Sequence, residues 1–151
     1  MPINGAVTAP SSISDARLAE RPRVLLADDH PAMLALTAAV LADECCVVGT
    51  VGNGCELLAE AERLDPDVIV LDITMPRLDG IEAARQLRRS HRPARLVFLT
   101  VHEDADFARA ALNAGGSAMS LRRGSLPTSC LPSGQRSPNA ASSRPPCASM
   151  K

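Results

Sequence analysis

Three acids stand where apolar runs end. Asp28 closes "RVLLAD" (23–28), Asp29 follows it directly, and Asp72 closes "DVIVLD" (67–72). A hydroxyl, Thr100, closes a further run, "ARLVFLT" (94–100). An acid at the tip of a buried strand is either a solvated turn residue or a group held in place for chemistry. Converging carboxylates repel one another and resist ionising together unless a cation sits among them. Mg2+ suits such a place, because it takes oxygen ligands octahedrally, commonly one or two carboxylates with waters and phosphate oxygens. A carboxylate can also attack phosphorus directly and form an acyl phosphate. The pattern therefore points to a divalent cation and a phosphoryl group in one crevice.

The intervening segments must deliver these groups to one place. "RVLLAD", "CCVVGTV" (45–51), "DVIVLD", "ARLVFLT" and the weaker "SAMSL" (117–121) read as strands. They are apolar without period-two alternation, as in strands covered on both faces. Helical segments separate them. Pro31 suits a first helical turn, and "AMLALTAAVLADE" follows it, with Met33, Leu36, Thr37, Val40 and Leu41 expected on the buried face. "NGCELLAEAERL" (53–64) opens with Asn53 as N-cap and Glu56 three residues on, a capping-box spacing. Its stripe is Leu57, Leu58, Ala61 and Leu64. Asp79 and Glu82 repeat that spacing before a helix through about Arg89, where Asp79 and Gly80 read as a cap and a turn. "DADFARAALNA" (104–114) is stopped by Gly115 and Gly116. Alternating strands and helices predict an α/β fold on a parallel sheet. In that fold ligands bind at the carboxyl ends of the strands, where Asp28, Asp29, Asp72 and Thr100 lie.

Composition narrows the class. A chain of 151 residues is one domain with room for tails. Aromatics make up 1% of it, so the core must be aliphatic. Sixteen basic and seventeen acidic side chains leave a net charge of −1, which argues against a broad nucleic-acid footprint. The basic run from Arg85 to Arg95 reads as a solvated helix end, where cations favour the C-terminus. Cys45, Cys46, Cys55, Cys130 and Cys147 show no zinc spacing, and an odd, scattered set suits a reducing cytoplasm better than a disulfide framework. No apolar stretch approaches the ~18 residues of a membrane span. His30, His91 and His102 are expected to face solvent.

"LLADDHPAM", "VIVLDITMPRLDG", "LVFLT" and "AGGSAMSLR" together resemble the receiver domain of bacterial response regulators. The nearest class joins a receiver to a NarL/LuxR-type DNA-binding domain. The resemblance covers residues 23–123 and implies a CheY-like (flavodoxin-like) doubly wound parallel sheet of five strands in the order 2-1-3-4-5. It implies a phosphoryl group accepted from a sensor histidine kinase, with Asp72 as phosphoacceptor and Mg2+ as cofactor. Asp28, Asp29, Asp72 and the backbone carbonyl of Thr74 would hold the metal. Thr100, Arg122 and Met119 would contact the phosphoryl group or switch with it, and Thr74 and His102 would tune dephosphorylation. The only catalysis implied is phosphotransfer and dephosphorylation at the protein's own aspartate. Cytoplasmic location, no membrane contact and allowance for a homodimer come with the class.

Two positions depart from the family pattern. Arg122 stands where a Lys is usual, and a planar guanidinium is not equivalent to a compact ammonium. Met119 stands where an aromatic residue is usual. These departures favour an alternative, a receiver-shaped interaction module that no longer switches. A Mg2+-dependent small-molecule phosphatase is disfavoured, since it wants a second acid two residues after the nucleophile and Thr74 is there. An NTPase is excluded by the lack of a phosphate-binding G-x-x-x-x-G-K-[ST] loop.

The ends read differently from the middle. Residues 1–22 are expected to be a flexible leader and 124–151 a disordered Ser/Pro-rich tail. A receiver's last helix is expected to be missing or degraded, because prolines interrupt everything after Ser125. A reading-frame shift near residues 115–118 in a longer regulator gene would account for this. The chain would then derive from a transcriptional regulator whose DNA-binding domain is absent, and DNA binding by this polypeptide is not expected.

Overall fold

The computed structural model describes residues 21–90, 94–100, 105–116 and 118–121. Along the chain run β1 (Arg23–Ala27), α1 (Pro31–Leu41), β2 (Cys46–Val51), α2 (Gly54–Leu64), β3 (Val68–Asp72), α3 (Gly80–Arg89), β4 (Arg95–Thr100), α4 (Ala105–Asn113) and β5 (Ala118–Leu121). All neighbouring strands pair in parallel, in the order β2-β1-β3-β4-β5. This is the doubly wound arrangement expected from the alternation of strand and helix patterns. The expected last helix falls outside the described residues. So does the tail, and the leader apart from Arg21 and Pro22.

Each strand sends alternate side chains to opposite faces. On one face Leu25, Ala27, Ile69, Leu71, Leu96 and Phe98 meet α2, α3 and α4. On the other, Val24, Leu26, Val68, Val70 and Val97 meet α1 through Leu34, Ala38 and Leu41. The sheet is thus buried on both sides, which is why its strands carry no polar alternation.

Local sequence explains the helix ends. The Asn53 side chain accepts from the Glu56 N–H at 3.0 Å, and Asp79 accepts from the Glu82 N–H at 2.8 Å. Helix α4 ends in a Schellman arrangement: the Gly116 N–H donates to the Ala111 carbonyl and the Gly115 N–H to that of Leu112. Gly115 has φ +91°, a conformation in which a side chain would be strained.

Several expectations fail here, each for a physical reason. Leu36 and Val40, assigned to the buried face of α1, are each 57% exposed. The helix carries no charge from Pro31 to Leu41, so its own pattern does not single out one face. Packing on β1 and β2 selects Leu34, Ala38 and Leu41 instead. Arg88, read as part of a solvated basic patch, reaches across the fold. Its Nε and Nη2 donate to the Gly115 carbonyl at 3.1 and 2.6 Å, and Nη1 to that of Ala94 at 3.2 Å. One planar fork thereby ties the end of α3 to the end of α4 and to the entry of β4. Among the described cysteines Cys45 and Cys55 are free thiols, whereas Cys46 is disulfide-bonded, contrary to a thiol-only reading. Burial pushes the Cys45 thiol up to about 11.

Candidate functional site

Strand register places the acids. Ala27 on β1 is level with Leu71 on β3, so Asp28 and Asp72 are level one residue further on. Adjacent strands stand ~4.8 Å apart, which sets the backbone separation of the two acids. Both follow the parity of the α1 face, Asp28 with Val24 and Leu26, Asp72 with Val68 and Val70. The Asp28 N–H still donates to the Val51 carbonyl at 3.1 Å, so β1 remains tied to β2 through the acid. Both carboxylates are buried. Burying charged groups is costly without compensating contacts, and this rules out the solvated-turn reading for this pair.

Asp29 is partly exposed beside them, and His30 closes the group. The His30 N–H donates to Asp28 Oδ1 at 2.9 Å. Its ring Nδ1 lies 2.8 Å from Asp29 Oδ1 and 3.3 Å from Asp28 Oδ1. Donor atoms of Asp28, Asp29 and His30 all fall within 4.8 Å of one another. The ring is exposed, as expected, but its contact with both acids was not anticipated. Its place beside the acid pair in the sequence was the available signal.

The loop after β3 is held just as firmly. Asp72 Oδ1 accepts from the Ile73 N–H at 2.9 Å, which orients the carboxylate. A Cβ on Gly80 would lie 2.0 Å from the Asp72 carbonyl oxygen, so only glycine lets α3 start against the acceptor strand. The Gly80 N–H also donates to the Ile73 carbonyl at 2.9 Å. Gly80 is therefore a close-approach residue rather than the turn residue expected. Gly54 meets the other side of the loop, where a Cβ would lie 2.3 Å from the Leu78 carbonyl oxygen. Between them, the Leu78 N–H donates to the Pro76 carbonyl at 2.8 Å around Arg77, at φ +66°. That is a γ-turn of the rare strained form. Thr74, in the same loop, is exposed.

The remaining expected residues are less completely placed. On β4, Leu99 is level with Asp72, which puts Thr100 one residue past the acceptor along the next strand. The backbone of Thr100 pairs with Leu121, and that of Met119 with Phe98. His102 and Arg122 lie outside the described residues, and so does His91.

Oxygen donors of this kind fit Mg2+. Asp28 and Asp72 offer two carboxylates from adjacent strands, Asp29 a third at the solvent side, and the Thr74 carbonyl lies two residues beyond the strand end. A hard dication wants such a set, and coordination positions would remain for water or a phosphate oxygen.

A parallel sheet in the order 2-1-3-4-5, with acids clustered at its carboxyl edge, defines the CheY-like class. Within it, the response regulator receiver domain family matches residues 24–119, and the chain belongs to that family. It is a receiver of two-component signalling. Response regulator GacA of Pseudomonas viridiflava is 40% identical over 97 residues, covering 63% of this chain and 45% of the relative. The transcriptional regulatory protein PdtaR of Mycobacterium tuberculosis is 36% identical over 113 residues, covering 74% and 54%. The chain thus spans about half the length of these curated relatives. Among solved structures, the signal receiver domain of the response regulator NarL from M. tuberculosis superposes with a TM-score of 0.68 at 29% identity, covering 70% of this chain and 87% of that one. The response regulator domain of Thermotoga maritima CheB gives a TM-score of 0.64 at 30% identity, covering 73% and 85%. Among the described residues no helix is long and apolar enough to cross a membrane.

Proposed function

We propose that this receiver is a phosphorylation switch with Asp72 as phosphoacceptor. The observation that carries the reading is the register that sets buried Asp28 level with buried Asp72 at the carboxyl edge of the sheet. A carboxylate oxygen of Asp72 attacks the phosphorus of a histidine kinase's phosphohistidine. The new O–P bond replaces the N–P bond, whose electron pair returns to the kinase imidazole. Asp28, Asp29, Asp72 and the Thr74 carbonyl would hold Mg2+, which offsets negative charge on the transferring group when bound. The chain's own part is to hold the acceptor still. The Ile73 N–H orients its carboxylate, and Gly80 lets α3 pack on its backbone.

Thr100 is the residue that would answer the new phosphoryl group, being one step beyond the level of the acceptor on β4. Its backbone pairing with Leu121 would carry the response into β5, directly before Arg122. The activity is confined to the protein's own aspartate. The site would work in the cytoplasm with a sensor histidine kinase as partner, in a lineage of transcriptional regulators.

The test is phosphorylation of the intact chain by acetyl phosphate with Mg2+, followed by intact-protein mass measurement. Wild type should gain one phosphoryl group, dependent on Mg2+, and Asp72→Asn should gain none. Undiminished labelling of Asp72→Asn would overturn the assignment.

A further inference from the structure

The Mg2+ reading leaves His30 unused, although its ring nitrogen is closer to Asp29 than any oxygen-only site requires. We infer that Asp28, Asp29 and His30 form a mixed nitrogen and oxygen donor set. Through His30 Nδ1, this set gives the acidic site a preference for first-row transition-metal dications over Mg2+. The inference deepens the proposed acidic site and rests on it.

Spacing supports it. Two ligands ~2.1 Å from an ion and at right angles to one another lie ~3.0 Å apart. His30 Nδ1 stands 2.8 Å from Asp29 Oδ1 and 3.3 Å from Asp28 Oδ1, so both separations match an edge of a coordination polyhedron. All the donor atoms of the triad fall within 4.8 Å of one another. Little rearrangement is needed to seat an ion. His30 is the N-cap of α1, directly before Pro31, and its own N–H is held by Asp28 Oδ1. The backbone therefore presents the ring from a fixed point. The ring itself is 64% exposed, leaving room for waters or a phosphate oxygen to complete the shell.

Chemistry decides which ion gains. Mg2+ prefers oxygen and draws little from an imidazole, whereas Co2+, Ni2+ and Zn2+ bind imidazole well. The neutral ring can carry its proton on Nε2 and turn the Nδ1 lone pair toward the acids, so no proton has to leave. Without an ion, an Nδ1–H in the same place donates to Asp29, and the two states exchange by tautomer alone.

Calorimetric titration of the intact chain with Co2+, and separately with Mg2+, tests this, with the visible absorption of bound Co2+ as a second readout. His30→Ala should weaken Co2+ binding at least ~10-fold and change the cobalt spectrum, the scale expected for loss of an imidazole contact at a metal. The Mg2+ affinity of the same variant should stay within about twofold, which also reports that the domain is folded. Asp29→Asn should weaken both ions. If Asp29→Asn weakens Mg2+ while His30→Ala leaves Co2+ binding intact, the nitrogen donor is refuted and the acidic site stands. Equal loss of both ions in His30→Ala refutes the selectivity. If Asp29→Asn alters neither ion, the acidic-site reading itself fails, and this inference with it.

Discussion

The two faces of the sheet bury apolar side chains by different means. Over Leu25, Ile69, Leu71 and Phe98, helices α2, α3 and α4 present narrow apolar stripes such as Leu57, Ala61 and Leu64, with charges on the opposite side. Only one rotation of each helix buries the stripe and leaves the charges wet, so sequence and packing agree. Over Val24, Leu26, Val68 and Val70, α1 is apolar nearly all round, and several rotations would bury similar area. There the β-branched surface of the sheet selects Leu34, Ala38 and Leu41, and Leu36 and Val40 are left exposed. Amphipathicity encodes orientation, and uniform hydrophobicity encodes only burial.

Substitutions on the two faces should separate these cases. The largest effect is expected at Phe98, fully buried beneath α4, with Gly116 so close that a Cβ there would lie 2.8 Å from the ring. Phe98→Ala should cost ~3–5 kcal/mol, a large share of the ~5–15 kcal/mol that stabilises a typical domain. Urea denaturation measures it, and a loss below ~1 kcal/mol would mean that the face closes around the cavity or is packed loosely.

A smaller effect is expected at a helix start. Asn53→Ala removes the side-chain acceptor for the Glu56 N–H and should cost ~1 kcal/mol. The denaturation midpoint should fall with an unchanged slope against urea. An unshifted midpoint would show that α2 is set by its stripe alone.

The smallest effect sharpens the contrast. Leu36→Lys and Val40→Lys, on the outer side of α1, should each change stability by no more than ~0.5 kcal/mol. A loss above ~1 kcal/mol in either would place that residue in a packed interface in solution and erase the distinction between the faces.

How much of the site could be read from residue order alone differs from group to group. Asp28 and Asp72 were legible because each ends an apolar run, and a parallel sheet must bring strand ends together. Gly80 was visible as a residue but not as a contact, since nothing in "RLDG" says that α3 starts against the Asp72 carbonyl. Arg88 was misread for a related reason. An arginine at a helix end looks solvated until the fold supplies the Gly115 and Ala94 carbonyls.

Residue order by itself determined the parallel α/β class, the caps at Asn53 and Asp79, the glycine stop of α4 and the set of acids that could meet. These follow from local rules: strand runs, capping geometry and the freedom of glycine at positive φ. Only the tertiary structure decided that Asp28 and Asp72 are level, that His30 closes on both acids of the pair and that α1 turns Leu34 rather than Leu36 inward. Each of those depends on the register of one strand against another or on one helix settling on a particular surface. Such relations arise between segments distant in sequence, where no local pattern records them.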